Sequence, residues 1–111
     1  MNDPLLNVNG INFAAINAGI KNNDDLDLSV ISLTKGSVTA AVFTQNIFCA
    51  APVLVAKNHL QHFPRALLIN SGNANAGTGK QGIENTLKTC KMLAAELNIE
   101  DRQVLPFSTG V

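Results

Sequence analysis

The chain has 111 residues, 46% of them hydrophobic, enough for one small domain with its own core. Eight lysines and arginines balance eight aspartates and glutamates, so no basic stripe or acidic tail points to nucleic acid or an anionic membrane. Five phenylalanines without Trp or Tyr argue against a base-stacking platform, and Cys49 and Cys90 make no disulfide framework and read as reduced thiols.

Residues 1–10 are polar and turn-rich, with no basic n-region or long apolar run of a signal peptide. No apolar run approaches membrane-spanning length, and the expectation is a soluble, cytoplasmic protein. Ile11 to Ile20, broken by Asn12, Asn17 and Gly19, reads as an irregular strand. Lys21-Asn22-Asn23-Asp24-Asp25 is a solvated loop. Leu26, Leu28 and Val30 alternate with Asp27 and Ser29, the period of a half-buried strand. Ile31 and Leu33 then change parity, as a bulge or burial on two sides would require. After a Lys35-Gly36 turn, Val38 to Thr44 is rich in β-branched residues and predicts a second strand. The two are expected to form an antiparallel hairpin over Leu26–Thr44.

Pro52 suits a first helical turn, so a short helix follows from there, although Val53-Leu54-Val55 reads equally as strand. Phe63-Pro64 stops that segment, and Arg65 to Asn70 is a buried strand. Ile83, Leu87, Cys90, Ala94 and Leu97 recur at helical spacing and predict an amphipathic helix that Asn98 ends. Val104 to Phe107 is a short strand. There is no internal repeat, linker or low-complexity segment. The chain stops abruptly after a Thr-Gly turn, and the expectation is a piece of a longer protein: residues 1–111 as a single partial domain.

The stretch Asn70 to Gly82 organises the rest. It carries no side chain larger than Ala that is hydrophobic, and its glycines and asparagines suit a shaped loop between strand and helix. Gly77-Thr78-Gly79-Lys80-Gln81-Gly82 satisfies G-x-G-x-x-G, but too far beyond the strand and without an acidic residue ending the next one, so it is a weak dinucleotide signal. A P-loop fails at Ala74 and Gln81. His59, His62, Cys49 and Cys90 lack the close ligand pairs of a zinc site; the histidines read as surface residues and Cys90 as core. Thr109-Gly110 sets a hydroxyl beside an unobstructed N–H, the two donors that an oxyanion site needs, although a simple strand-end turn explains them as well.

Five segments, taken together, resemble the ornithine acetyltransferases (glutamate N-acetyltransferases) of arginine biosynthesis. They are Ala18-Gly19-Ile20-Lys21, Ala41 to Asn46, Ala50 to Val53, Asn70 to Gly79 and Ser108 to Val111, in the family's order from about residue 10 to the end. Asn70-Ser71-Gly72-Asn73-Ala74-Asn75-Ala76 is specific; Gly77 departs from the Cys that many members carry there. The resemblance implies a layered α+β architecture, an antiparallel-rich sheet with packed helices, of the self-processing N-terminal-nucleophile type that aminopeptidases share, incomplete in this chain. It implies a precursor cut before a threonine that becomes the nucleophile of a second chain, its free amine the general base. The acetyl group of N-acetylornithine would move to that threonine and then to glutamate, with acetyl-CoA an optional further donor and no cofactor or metal. Thr109 and Gly110 would supply the oxyanion hole, with the Asn70–Gly82 loop as support. The implied partner is the remainder of the precursor, in units of two alpha and two beta chains. The family's nucleophile lies well after the Ser-Thr-Gly-Val motif, so this chain would be the N-terminal part of the alpha chain, inactive by itself. The alternatives are a non-catalytic folding or interaction module and a self-processing aminopeptidase of related fold.

Overall fold

The structure is a computed structural model that describes residues 8–21, 24–47, 49–73 and 76–110. Strands β1 (Ile11–Ile16), β2 (Leu28–Leu33), β3 (Ala66–Ser71) and β4 (Val104–Thr109) form one sheet in that order. β1 pairs antiparallel with β2, and β2 antiparallel with β3; β4 runs parallel to β3. A parallel pair needs a crossover, and helix α2 (Gly79–Leu97) provides it. Helix α1 (Ala51–His59) links the first half of the sheet to β3. The layered mixed sheet with helices matches the expected architecture, and two of its three pairings are antiparallel.

The core lies between the sheet and the two helices. Val55 of α1, Ala66 and Leu68 of β3, Cys90 and Ala94 of α2 and Val104 of β4 form one buried cluster, with Leu28, Val30 and Ile83 packed against it. In-register pairs Val30↔Leu68 and Leu68↔Pro106 carry this face across the sheet. β4 has one neighbour, so Pro106, which has no N–H to donate, sits on an edge strand. Phe13, Ile31 and Ile69 occupy alternate positions, on the face away from the helices.

Local signals hold where local chemistry decides. Pro lies in the first turn of α1, as expected of a residue that needs no donor there. Asn98 takes φ 56° and ψ 47°, and its N–H returns to the carbonyls of Ala94 and Ala95. Before Pro64, Phe63 also has positive φ, at 58°, and the chain turns there into β3. Glu100 and Gln103 cap the short 3₁₀ turn that leads into β4.

Two expectations change, and one choice between alternatives is decided. The partner of β2 in the hairpin is β1, not residues 38–44. Those residues form no strand, and Val38 and Val42 are 94% and 98% exposed. A strand has two edges, and β1 and β3 already occupy both edges of β2. No bulge interrupts the β2 register; all six of its residues are half-buried, so the parity change reflects burial on both faces. α2 is turned partly from its apolar stripe: Cys90 and Ala94 are buried and Ile83 packs against the core as expected, but the buried seam continues through Thr86 and Gly82, while Leu87 and Leu97 are 42% and 38% exposed. Small residues at i, i+4, i+8 and i+12 let the helix lie close against α1 and the sheet, which a leucine seam would hold further off. The partly exposed Leu87 forfeits only part of the roughly 2–5 kcal/mol that truncating a core leucine costs.

Candidate active site

In open sheets with parallel strands, ligands collect beyond the carboxyl ends of those strands, where loops diverge. Here that edge is the end of β3 and β4. Ser71 and Thr109 are the last paired residues of the ladder, followed by Gly72-Asn73 on one side and Gly110 on the other. Thr109 and Gly110 are both exposed there. The residue before them, Ser108, is half-buried, and its hydroxyl donates to the Asn70 side-chain oxygen at 2.5 Å. The Asn70 amide nitrogen donates in turn to the Asn73 carbonyl at 2.9 Å.

The third wall comes from the start of β2, which the antiparallel register sets beside the end of β3. Asp27, just before β2, is 3% exposed. Its carboxylate accepts backbone N–H groups from Ala18 at 2.6 Å, Ile20 at 2.7 Å and Lys21 at 3.0 Å. The N–H donations of Ala18 and Lys21 hold its carboxyl below the usual value, against an opposing push from burial. The Asp27 carbonyl accepts the Ser71 N–H at 2.9 Å, which ties this loop to the end of β3. Gly72 has φ 93°, and a Cβ there would lie 2.9 Å from the Lys21 side chain and 3.3 Å from that of Ile20. Only glycine lets the two loops meet so closely.

Between the sheet and α2 lies a cleft of about 370 Å³, reached by Ile20, Pro52, Asn70, Asn73, Pro106 and Ser108 among others. Four of the five sequence segments singled out above therefore converge on one rim, although they are scattered from residue 18 to residue 110. The fifth lies outside the cleft lining; its Thr44 carbonyl accepts Lys57 Nζ of α1 at 3.3 Å. The 74–75 part of the loop lies outside the described residues.

Other candidate chemistry resolves into structure. His59 is 5% exposed and not a surface residue; its Nδ1–H donates to the Val104 carbonyl at 2.7 Å and joins α1 to β4. Nothing in its spacing signalled this, because the partner lies 45 residues away. Cys90 is core, as expected, and burial pushes its thiol up to about 12, with the negative charge of Asp101 adding to the effect. Among the described residues no group of three or more His, Cys, Asp or Glu could hold a metal. Gly77 and Gly79 take positive φ at the entry to α2, and Gly82 faces Ala51 of α1, so the glycine run shapes a helix start. β4 ends in Ser108-Thr109 with no carboxylate for a ribose, as a dinucleotide fold would require. Among the described residues no helix is long and apolar enough to cross a membrane.

Comparison with known proteins agrees with this arrangement. The chain is 49% identical over 107 residues to the arginine biosynthesis bifunctional protein ArgJ of Methylococcus capsulatus, and 48% identical over 111 residues to that of Neisseria meningitidis. These matches cover 96% and 98% of the chain but 26% and 27% of the relatives, so it spans about a quarter of their length. The crystal structure of the arginine biosynthesis bifunctional protein of Bacillus halodurans superposes with a TM-score of 0.87 at 32% identity, covering 93% of this chain and 55% of that one. The ornithine acetyltransferase of Mycobacterium tuberculosis, solved in complex with ornithine, superposes at 0.86 with 36% identity, covering 93% and 57%. The ArgJ family model itself matches residues 12–111, from the second residue of β1 through the Thr109-Gly110 turn, and the chain belongs to the ArgJ family.

Proposed function

We propose that this chain is the N-terminal part of a self-processing precursor that transfers the acetyl group of N-acetylornithine to glutamate. In this reading Thr109 and Gly110 are the oxyanion donors. Family membership supports the acetyl-transfer chemistry, since relatives carry the names ornithine acetyltransferase and arginine biosynthesis bifunctional protein. The observation that carries the site assignment is the position of Thr109 and Gly110. They stand exposed at the carboxyl end of β4, with the preceding residue pinned to the neighbouring strand.

The nucleophile would be an N-terminal threonine released on a later segment. Its hydroxyl oxygen attacks the acetyl carbon while its own amine takes the hydroxyl proton. The carbonyl oxygen gathers negative charge, and the Thr109 O–H and the Gly110 N–H donate to it. Collapse of the tetrahedral intermediate breaks the bond to nitrogen, the amine's proton passes to the leaving ornithine, and an acetyl-threonine remains. Glutamate then attacks by the same path in reverse. Acetyl-CoA would be an alternative donor to the same threonine. The finished enzyme would pair two alpha with two beta chains in the cytoplasm, without metal or cofactor.

The test is Thr109→Ala in the full-length precursor. Losing one oxyanion donor typically costs about 10²–10³ in kcat, roughly 3–4 kcal/mol, so kcat should fall by about that factor while KM stays nearly constant. Thr109→Ser should retain far more activity. Processing of each variant is read first on a gel. A fully processed Thr109→Ala enzyme that transfers acetyl groups at the wild-type rate would return this turn to a structural role. Peptide hydrolysis in place of acetyl transfer by the wild type would favour the aminopeptidase reading.

A further inference from the structure

We infer that Asn70 is a positioning residue for the proposed acetyl transfer: its one amide locks the end of β4 to the loop after β3 and so holds Thr109 and Gly110 in line. The inference rests on the oxyanion reading of that turn.

The register puts Asn70 directly beside Ser108. Its side chain then uses both ends. The oxygen accepts the Ser108 hydroxyl at 2.5 Å, and the nitrogen donates to the Asn73 carbonyl at 2.9 Å. Acceptor and donor on one planar group are what an amide alone supplies. Aspartate would turn a carboxylate oxygen toward the Asn73 carbonyl; alanine would leave both partners without this bond.

The lock matters because of where β4 lies. It is an edge strand, and its last residues are exposed. Strand ends of this kind fray first. Oxyanion donors act only when already oriented, and a displacement of about 1 Å at a reacting centre costs on the order of 10²-fold in rate. Asn70 reaches the strand at Ser108, one residue before the Thr109 hydroxyl and two before the Gly110 N–H. It is itself held from the other side, since its neighbour in β2 is Leu28, next to the buried Asp27.

The experiment uses the full-length precursor with Asn70→Ala, Ser108→Ala, their double variant and Ser108→Thr, each after its processing has been followed on a gel. Initial rates are measured against both substrates, with thermal midpoints alongside. The expected result is a fall in kcat of about 10- to 100-fold for Asn70→Ala and a similar fall for Ser108→Ala. KM for donor and acceptor should stay within about twofold. The double variant should be no slower than the slower single, since either single already breaks the bond between Asn70 and Ser108, and Ser108→Thr should recover most of the rate. In a Thr109→Ala background, Asn70→Ala should cost much less than it does in the wild type. If Asn70→Ala does not fold or process, Ser108→Ala, which removes only a hydroxyl, decides by the same readings.

Processed variants with wild-type kcat overturn the inference. So does a raised KM at unchanged kcat, which would make Asn70 a binding group, or a full, additive loss in the Thr109→Ala background. Thr109→Ala alone separates the two readings. If it is slow while the Asn70 and Ser108 variants run normally, only the positioning role falls. If it runs at the wild-type rate, the oxyanion reading falls and takes this one with it.

Discussion

Asp27 shows how one side chain can organise a rim. A carboxylate that is 3% exposed is sustained by backbone donors: among the described residues, three N–H groups converge on its two oxygens. An asparagine has one acceptor oxygen, and its NH₂ would face at least one of those N–H groups. Asp27→Asn should therefore lower the thermal midpoint and loosen residues 18–21, read as faster amide exchange at Ala18, Ile20 and Lys21. The sign of the pH dependence follows from the direction of the shift. The folded carboxyl titrates below its ordinary value of 3.8, so its stabilisation is complete above that pH and is lost as pH falls through the folded value. The gap in midpoint between wild type and Asp27→Asn should be full at neutral pH and close on acidification. A gap that does not change across the acid range would mean that the ionised carboxylate does not carry the effect.

At the scale of an element, α2 illustrates what an apolar stripe does and does not specify. Its existence and its stop at Asn98 were legible from spacing and from one residue tolerant of positive φ. The face it buries was legible in part: Ile83, Cys90 and Ala94 lie in or against the core, and Leu87 and Leu97 do not. The seam chosen, Gly82-Thr86-Cys90-Ala94, is one of small side chains, and the buried Thr86 is satisfied by donating to the Gly82 carbonyl four residues back. Gly82 lies over the start of its own helix: a Cβ there would collide with the Oγ1 of Thr78, the residue that opens α2, lie 2.6 Å from its Cβ, and only touch Ala51 Cβ of α1 at 3.4 Å. In an exposed helix, Gly→Ala would gain about 1 kcal/mol. Here overpacking should reverse the sign, and Gly82→Ala should destabilise by roughly 1–3 kcal/mol. Urea unfolding at constant m checks it, and a variant more stable than wild type would show that the Thr78 side chain moves aside at no cost.

At the scale of the whole molecule, the rim is assembled from segments that share nothing locally. Ala18 to Lys21 meets Gly72 because Asp27 ties the first to β2 and the β2–β3 ladder brings them level. Ser108 meets Asn70 because α2 returns the chain parallel to β3. This rim holds the proposed donors, and in the proposed function the nucleophile is a threonine of a later segment and none of those at 34, 39, 44, 78, 86, 89 and 109. The isolated 111-residue chain should accordingly show no transfer of acetyl groups from N-acetylornithine above background. Turnover that survives purification from contaminants would bring the nucleophile into this segment.

What the amino-acid order determined by itself was short in range: the turn at Lys35-Gly36, the proline start of α1, the existence of α2 and its stop, strands at residues 65–70 and 104–107 where the structure has 66–71 and 104–109, and the motifs that carry the family resemblance. Each rests on φ preference, capping or periodicity, which act within a turn or two of the chain. Only the tertiary structure decided that β1 and not residues 38–44 pairs with β2, that small residues and not leucines form the seam of α2, and that His59 is buried. These depend on partners far away in sequence: a free strand edge, the helix and strands that α2 packs against, a carbonyl 45 residues distant. β-branched composition suits residues 38–44 to a sheet but names no neighbour, and with both edges of β2 occupied that segment has no place beside it.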